Sequence, residues 1–174
     1  RVYQARGELD MAVSVLHDSL ALTDIRPYSL ERSCSLLDLG SCLLDQGQVG
    51  DGLECLEQSL EIRIVKLGEC IQVLDTLKLM GNVHLSLGDH HEALKVFRKV
   101  HEVALRIAPD KVELIAGALF AIGEVFDAQG FFDLAMQNFI ECNRVLEQGR
   151  EKDHPDIAKA LQRLGDLLAS QDKL

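Results

Sequence analysis

Leu119-Phe120-Ala121-Ile122-Gly123, followed by Ala128-Gln129-Gly130-Phe131-Phe132, holds two glycines, and both recur along the chain. Gly130 aligns without gaps with Gly7 of Ala5-Arg6-Gly7-Glu8-Leu9, Gly47 of Asp45-Gln46-Gly47-Gln48-Val49 and Gly88 of Ser86-Leu87-Gly88-Asp89-His90. A fifth copy, Ser170-Gln171-Asp172-Lys173-Leu174, has Asp172 at that place, and the spacings are 40, 41, 42 and 42 residues. Gly123 belongs to a second series with Gly40, Gly81 and Gly165, each seven residues before the first mark. Five residues after the mark stands a small residue (Ala12, Gly52, Ala93, Ala135). Four further on stands a large apolar one (Leu16, Leu56, Phe97, Phe139). Several independent positions sharing one period identify a repeat array.

The segments between marks space their apolar residues three and four apart, as amphipathic helices do. Leu36, Leu39 and Leu43 share one face, as do Leu119, Ile122 and Phe126. The first glycine series falls where one helix ends and the next begins, and glycine takes the left-handed conformation that closes a helix C-terminus. The second series lies inside helices, where each glycine costs about 1 kcal/mol against alanine. Close approach of a paired helix accounts for that cost. Pro27, Pro109 and Pro155 all fall between repeats, as expected of a residue that disrupts helix interiors. The pattern predicts helices at about 8–24, 29–46, 49–67, 70–87, 90–107, 110–129, 132–149 and 155–171, with a truncated one before Gly7. The fold class is therefore all-α, an α-solenoid of antiparallel helix pairs. The chain reads as one repeat domain with units at about 1–27, 28–69, 70–110, 111–153 and 154–174, the first and last incomplete.

Of the 174 residues, 47% are apolar, which is enough for a continuous core, and with no Trp that core is mostly aliphatic. No uninterrupted apolar stretch approaches the ~20 residues of a membrane span. The formal net charge of −10 and the lack of a Lys/Arg run argue against nucleic-acid binding. Cys34, Cys42, Cys55, Cys70 and Cys142 are odd in number and form no Cys-x-x-Cys pair, so reduced thiols in a cytoplasmic setting are expected. The opening Arg1-Val2-Tyr3 already follows a helical pattern and reads as the inside of a longer chain, whose targeting signals would then be missing.

Catalytic signals are poor. His90-His91-Glu92 resembles a metal or acid–base cluster, but it opens a predicted helix, where polar residues are ordinary. No His-Glu-x-x-His, P-loop or Gly-x-Ser-x-Gly occurs. Gly47-x-x-Gly50-x-Gly52 has glycine spacing of a phosphate-loop kind but follows a helix rather than a strand. Cys55 and Cys142 read as small core residues. The expectation is a protein that catalyses nothing, with no cofactor and no metal.

The period and residue order resemble the tetratricopeptide repeat, in which helix A carries apolar, apolar, small and aromatic residues and helix B small, aromatic and small ones. Leu119, Ile122, Gly123, Phe126, Ala135, Phe139 and Cys142 fill those places. The period of about 42 is similar to that of the kinesin-light-chain subgroup. So are Ser59-Leu60-Glu61-Ile62-Arg63, Leu67-Gly68-Glu69 and His154-Pro155-Asp156-Ile157-Ala158-Lys159. The resemblance implies a right-handed superhelix whose helices A line a concave groove for a partner segment. That subgroup's groove asparagine pairs are absent here, so the scaffold is implied and the same cargo peptides are not.

By that geometry the groove would present Asp38, Ser41, Asp45, Asp75, Lys78, Asn82, Phe120, Glu124, Asp127, Lys159, Arg163 and Asp166. At its centre Asp38, Asp45, Asp75, Glu124 and Asp127 stand against Lys78, one minus five, or −4. A basic, partly apolar protein segment is the expected partner, with Phe120 as an apolar contact; a solvated acidic face is the plainer alternative. Relatives that hold chaperone C-termini use a carboxylate clamp, and Lys78-x-x-x-Asn82 with Lys159-x-x-x-Arg163 matches part of it. Ala121 replaces the middle clamp asparagine, and Lys159 and Arg163 have Asp156 and Asp166 as alternative partners at helical spacing. Two other roles compete: a structural subunit docked through its convex face or ends, and the interaction domain of a larger enzyme. Both ends of the array are expected to expose apolar faces that further repeats, a second copy or another protein would cover.

Overall fold

The computed structural model describes residues 8–23, 26–148 and 155–171. Gly7, the helix expected before it, His154 and Asp172-Lys173-Leu174 lie outside the described residues. The helices are α1 (Leu9–Thr23), α2 (Leu30–Asp45), α3 (Val49–Leu67), α4 (Ile71–Ser86), α5 (His90–Ile107), α6 (Val112–Ala128), α7 (Phe132–Gln148) and α8 (Pro155–Gln171). No strand occurs among the described residues. The helix limits fall within two residues of the periodic expectation, and helix ends fray by about that much.

The same turn recurs three times. Gly47, Gly88 and Gly130 have φ of 79°, 79° and 78°. At the end of α6 the Gly130 amide donates to the Asp127 carbonyl at 2.9 Å and the Phe131 amide to the Phe126 carbonyl at 2.9 Å. Equivalent pairs follow Gly47 (to Leu44 and, from Gln48, to Leu43) and Gly88 (to Leu85 and, from Asp89, to His84). This is the Schellman arrangement, which satisfies the last carbonyls of a helix and needs a left-handed residue. It reverses the chain, so that α2/α3, α4/α5 and α6/α7 form antiparallel hairpins. Ser29 caps α2, its hydroxyl accepting from the Arg32 amide at 3.1 Å.

The chain divides into two compact units, Arg1–Thr76 and Leu77–Leu174. In the first, Leu36, Leu39, Leu43, Leu56 and Ile62 are buried. A Cβ on Gly40 would come 2.9 Å from the Gly52 carbonyl oxygen, and one on Gly52 would come 2.8 Å from Leu44. The Ser59 hydroxyl donates to the Ser33 carbonyl at 2.7 Å inside this hairpin. Arg63 is buried as well, at 7% exposure. It donates from Nη1 to the Gln72 carbonyl (3.0 Å) and the Thr76 hydroxyl (2.9 Å) and from Nε to the Ser33 hydroxyl (3.5 Å).

In the second unit Ala93, Phe97, Ala121, Ile122, Val125, Phe126, Ala135 and Phe139 form one core cluster. Phe120 packs against it, its ring 5.3 Å from that of Phe139. A Cβ on Gly81 would meet the Phe97 ring at 2.6 Å, and one on Gly123 the Phe139 ring at the same distance. The expected reason for glycines inside helices thus holds at Gly40, Gly81 and Gly123. At Gly165, on the last described helix, a Cβ would meet nothing within 4 Å.

Opposite responses to one substitution follow. Gly165→Ala should stabilise the chain by up to about 1 kcal/mol through helix propensity. Gly123→Ala should destabilise it, because overpacking costs typically ~1–3 kcal/mol. Thermal melts of the two variants beside the parent check this, and equal shifts of one sign would contradict it.

Candidate protein-interaction groove

Each helix A carries part of the expected surface. Asp38, Ser41 and Asp45 lie on α2, the first two half-buried and the last exposed. The Ser41 hydroxyl donates back to the Leu37 carbonyl at 2.9 Å. On α4, Asp75 and Asn82 are exposed and Lys78 is half-buried; on α6, Phe120, Glu124 and Asp127 are half-buried. Lys159, Arg163 and Asp166 are exposed on α8.

The second unit brings five of these residues together. Phe120, Glu124, Lys159, Arg163 and Asp166, with Gln162, line a cleft of about 390 Å³ between α6 and α8. Its aromatic contribution is Phe120, held in place by Phe139 beneath it. Arg163 donates from Nη2 to Glu124 Oε1 at 3.3 Å, a bridge across helices, and Asp166, an alternative partner at helical spacing, lines the same cleft. Both side chains are partly exposed, at 46% and 31%, so the pair adds little stability but fixes the charge arrangement of the cleft. Lys78 reaches toward the same helix, its Nζ lying 3.8 Å from where a Gly117 Cβ would stand. Among the cleft residues, Lys159 and Arg163 offset Glu124 and Asp166, so this part of the groove is charge-balanced. Asp38, Asp45 and Asp75 belong to the first unit. Gln162 and Gly117 escaped the sequence pattern because neither recurs with the period.

The other sequence candidates resolve structurally. His91 is fully in solvent, with its Nε2 4.0 Å from Glu92. His84 Nδ1 lies 3.7 Å from Asp89, whose side chain does not cap α5. No group of three or more His, Cys, Asp or Glu among the described residues is placed to hold a metal ion. Gly47, Gly50 and Gly52 form the α2–α3 turn and the first turn of α3. All five cysteines are free thiols; burial pushes the Cys42 and Cys55 thiols up, which makes them poor nucleophiles. Among the described residues no helix is long and apolar enough to cross a membrane.

Helical hairpins with this register are the repeating element of an α-solenoid. Residues 31–106 match the tetratricopeptide repeat family model. Solved structures share its fold. A kinesin light chain of Podosopora anserina with nearly identical TPR-like repeats superposes with a TM-score of 0.82 at 19% identity, over 99% of this chain and 83% of that one. The apo form of RapI gives 0.85 at 18% identity and covers 99% of this chain, which spans only 46% of RapI. The N-terminal domain of stress-induced protein-1 from C. elegans gives 0.59 at 20% identity, over 79% and 95% of the two chains. No curated protein sequence matches the chain.

Proposed function

We propose that this protein is a non-catalytic scaffold that binds a basic, partly apolar protein segment along the faces of its helices A. The observation that carries the reading is the α6–α8 cleft, which half-buried Phe120 lines together with Glu124 and Asp166. An arginine or lysine stem can lie on such a ring with its charged head toward the carboxylates. Asp38, Asp45 and Asp75 add negative charge on the helices A of the first unit. Charges of one sign lining a surface steer association, so binding should weaken with salt, which screens exposed charges beyond about 8 Å at physiological ionic strength. The repeats at 28–69, 70–110 and 111–153 are the complete units of one array in this reading. A cytoplasmic location fits the five free thiols.

A second reading is favoured by Lys159 and Arg163 lining the same cleft: capture of an acidic C-terminal peptide, with Lys78 and Asn82 assisting. The Glu124 carboxylate already engages Arg163, which weighs against it. One titration separates the two, using a basic peptide and an acidic peptide with a free carboxylate. The expected result is that Asp38→Lys/Glu124→Lys weakens the basic peptide about tenfold or more, since like-charge juxtaposition is costly. Tight acidic-peptide binding that vanishes in Lys159→Ala/Arg163→Ala would replace the first reading with the second. If neither peptide binds, the groove is not the working surface, and docking through the convex face or ends becomes the better account.

A further inference from the structure

Arg163 holds Glu124 by a contact that the repeat does not need. Its Nη2 lies 3.3 Å from Glu124 Oε1, and both side chains are partly exposed. Glu124 directly follows Gly123, and Arg163 stands two residues before Gly165. One repeat earlier, the same two places hold Asn82, after Gly81, and Ala121, two residues before Gly123. Asn82 is exposed and Ala121 is buried, so the repeat keeps its register there without a charge pair. A partly exposed ion pair adds little to stability. What this one does is occupy the half-buried carboxylate of a cleft that Phe120 also lines.

We propose that the α6–α8 cleft is the site for a single arginine side chain of the bound segment, and that Arg163 is its built-in competitor. The inference rests on the basic-segment reading above and narrows it to one side chain. Arg163 shows which chemistry Glu124 accepts in this setting, a guanidinium. A planar guanidinium is weakly hydrated and stacks on aromatic faces such as that of Phe120, whereas the ammonium of lysine is a strongly hydrated point charge. With Arg163 turned into solvent, the cleft keeps Glu124 and Asp166 against Lys159, and one incoming guanidinium restores the balance. A cleft of about 390 Å³ has room for a side chain and not for a helix. Displacing Arg163 costs little, because its bridge is already partly in solvent. Arg163 therefore acts on specificity. A segment whose only attraction is diffuse positive charge meets an occupied carboxylate, whereas one with a well-placed arginine takes over Glu124 and gains the Phe120 ring.

Fluorescence anisotropy tests this with a labelled peptide of one arginine among leucines and serines, and with the same peptide carrying lysine or citrulline at that place. The 174-residue chain is compared with Arg163→Gln, Glu124→Gln and the double variant. Arg163→Gln should tighten the arginine peptide about two- to fivefold, the range that release of a partly exposed ion pair allows. The lysine peptide should gain less, and the citrulline peptide nothing. In the Glu124→Gln background the gain should vanish, because no carboxylate is left to compete for; a double-mutant cycle measures this coupling. Unchanged thermal melts of both single variants separate these effects from loss of fold. A gain that persists in the Glu124→Gln background means that Arg163 acts only through net charge, and it overturns the proposal. So does the absence of any gain while the arginine peptide still binds the parent; in both cases the basic-segment reading stands. If the arginine peptide binds neither the parent nor Arg163→Gln, that reading falls together with the proposal.

Discussion

Phe139→Ala should lower the unfolding free energy by about 3–5 kcal/mol, the usual cost of truncating a fully buried phenylalanine. The Phe139 side chain has no solvent exposure. Its ring faces Gly123, close enough that a Cβ there would lie 2.6 Å away, and stands 5.3 Å from Phe120. Removal leaves a void bordered by a glycine, which has no side chain to relax into it. It also withdraws the support beneath the aromatic wall of the α6–α8 cleft, so peptide binding should weaken along with stability. Phe131→Ala is the control, because Phe131 is 55% exposed and surface changes fall within about 0.5 kcal/mol. Urea denaturation followed by far-ultraviolet circular dichroism compares them. If the two variants unfold alike, the packing of α7 on α6 is wrong. Because repeat arrays unfold with neighbour-limited cooperativity, loss of only part of the helical signal at low urea is consistent with the expectation.

Arg63→Ala should cost about 2–3 kcal/mol, in the range for hydrogen bonds made by a charged group. The guanidinium joins three helices of the first unit, reaching Ser33 on α2 and Gln72 and Thr76 on α4 from its place on α3. Its Nη2 also lies 3.9 Å from Cys34 Sγ. Lysine cannot reproduce this fork of donors, so Arg63→Lys should recover little. Arg63→Met should recover more. The Ser33 hydroxyl still donates to the Leu30 carbonyl at 2.8 Å, and the Thr76 hydroxyl to that of Gln72 at 3.0 Å, so neither is stranded. Methionine also fills much of the volume without a charge to desolvate. The same denaturation experiment checks the series, and an Arg63→Ala variant as stable as the parent would show that the network carries no stability.

The groove was legible only where it depends on single helices. Helical spacing places Lys159, Arg163 and Asp166 along α8 and Phe120, Glu124 and Asp127 along α6, because that geometry is local. Which of them meet is a matter of how α6 and α8 pack. Arg163 crosses to Glu124, although the sequence offered Asp166 one turn away. Arg63 is the clearest case of what was hidden. It stands in a stretch similar to a family motif, but nothing in an arginine codon's neighbours says that its head lies among hydroxyls and a carbonyl from two other helices.

Sequence by itself determined the helices, their limits to within two residues, the three glycine turns and the residues of the core. All of these rest on short-range periodicity and on backbone conformations that glycine alone adopts readily. Only the tertiary structure decided which interior glycines are used. Gly40, Gly81, Gly123 and Gly165 are equivalent in the sequence, yet the first three lie under a neighbouring helix and the fourth faces open space. The physical reason is that a glycine's value inside a helix comes from what packs on it, and that depends on a surface many residues away in the sequence.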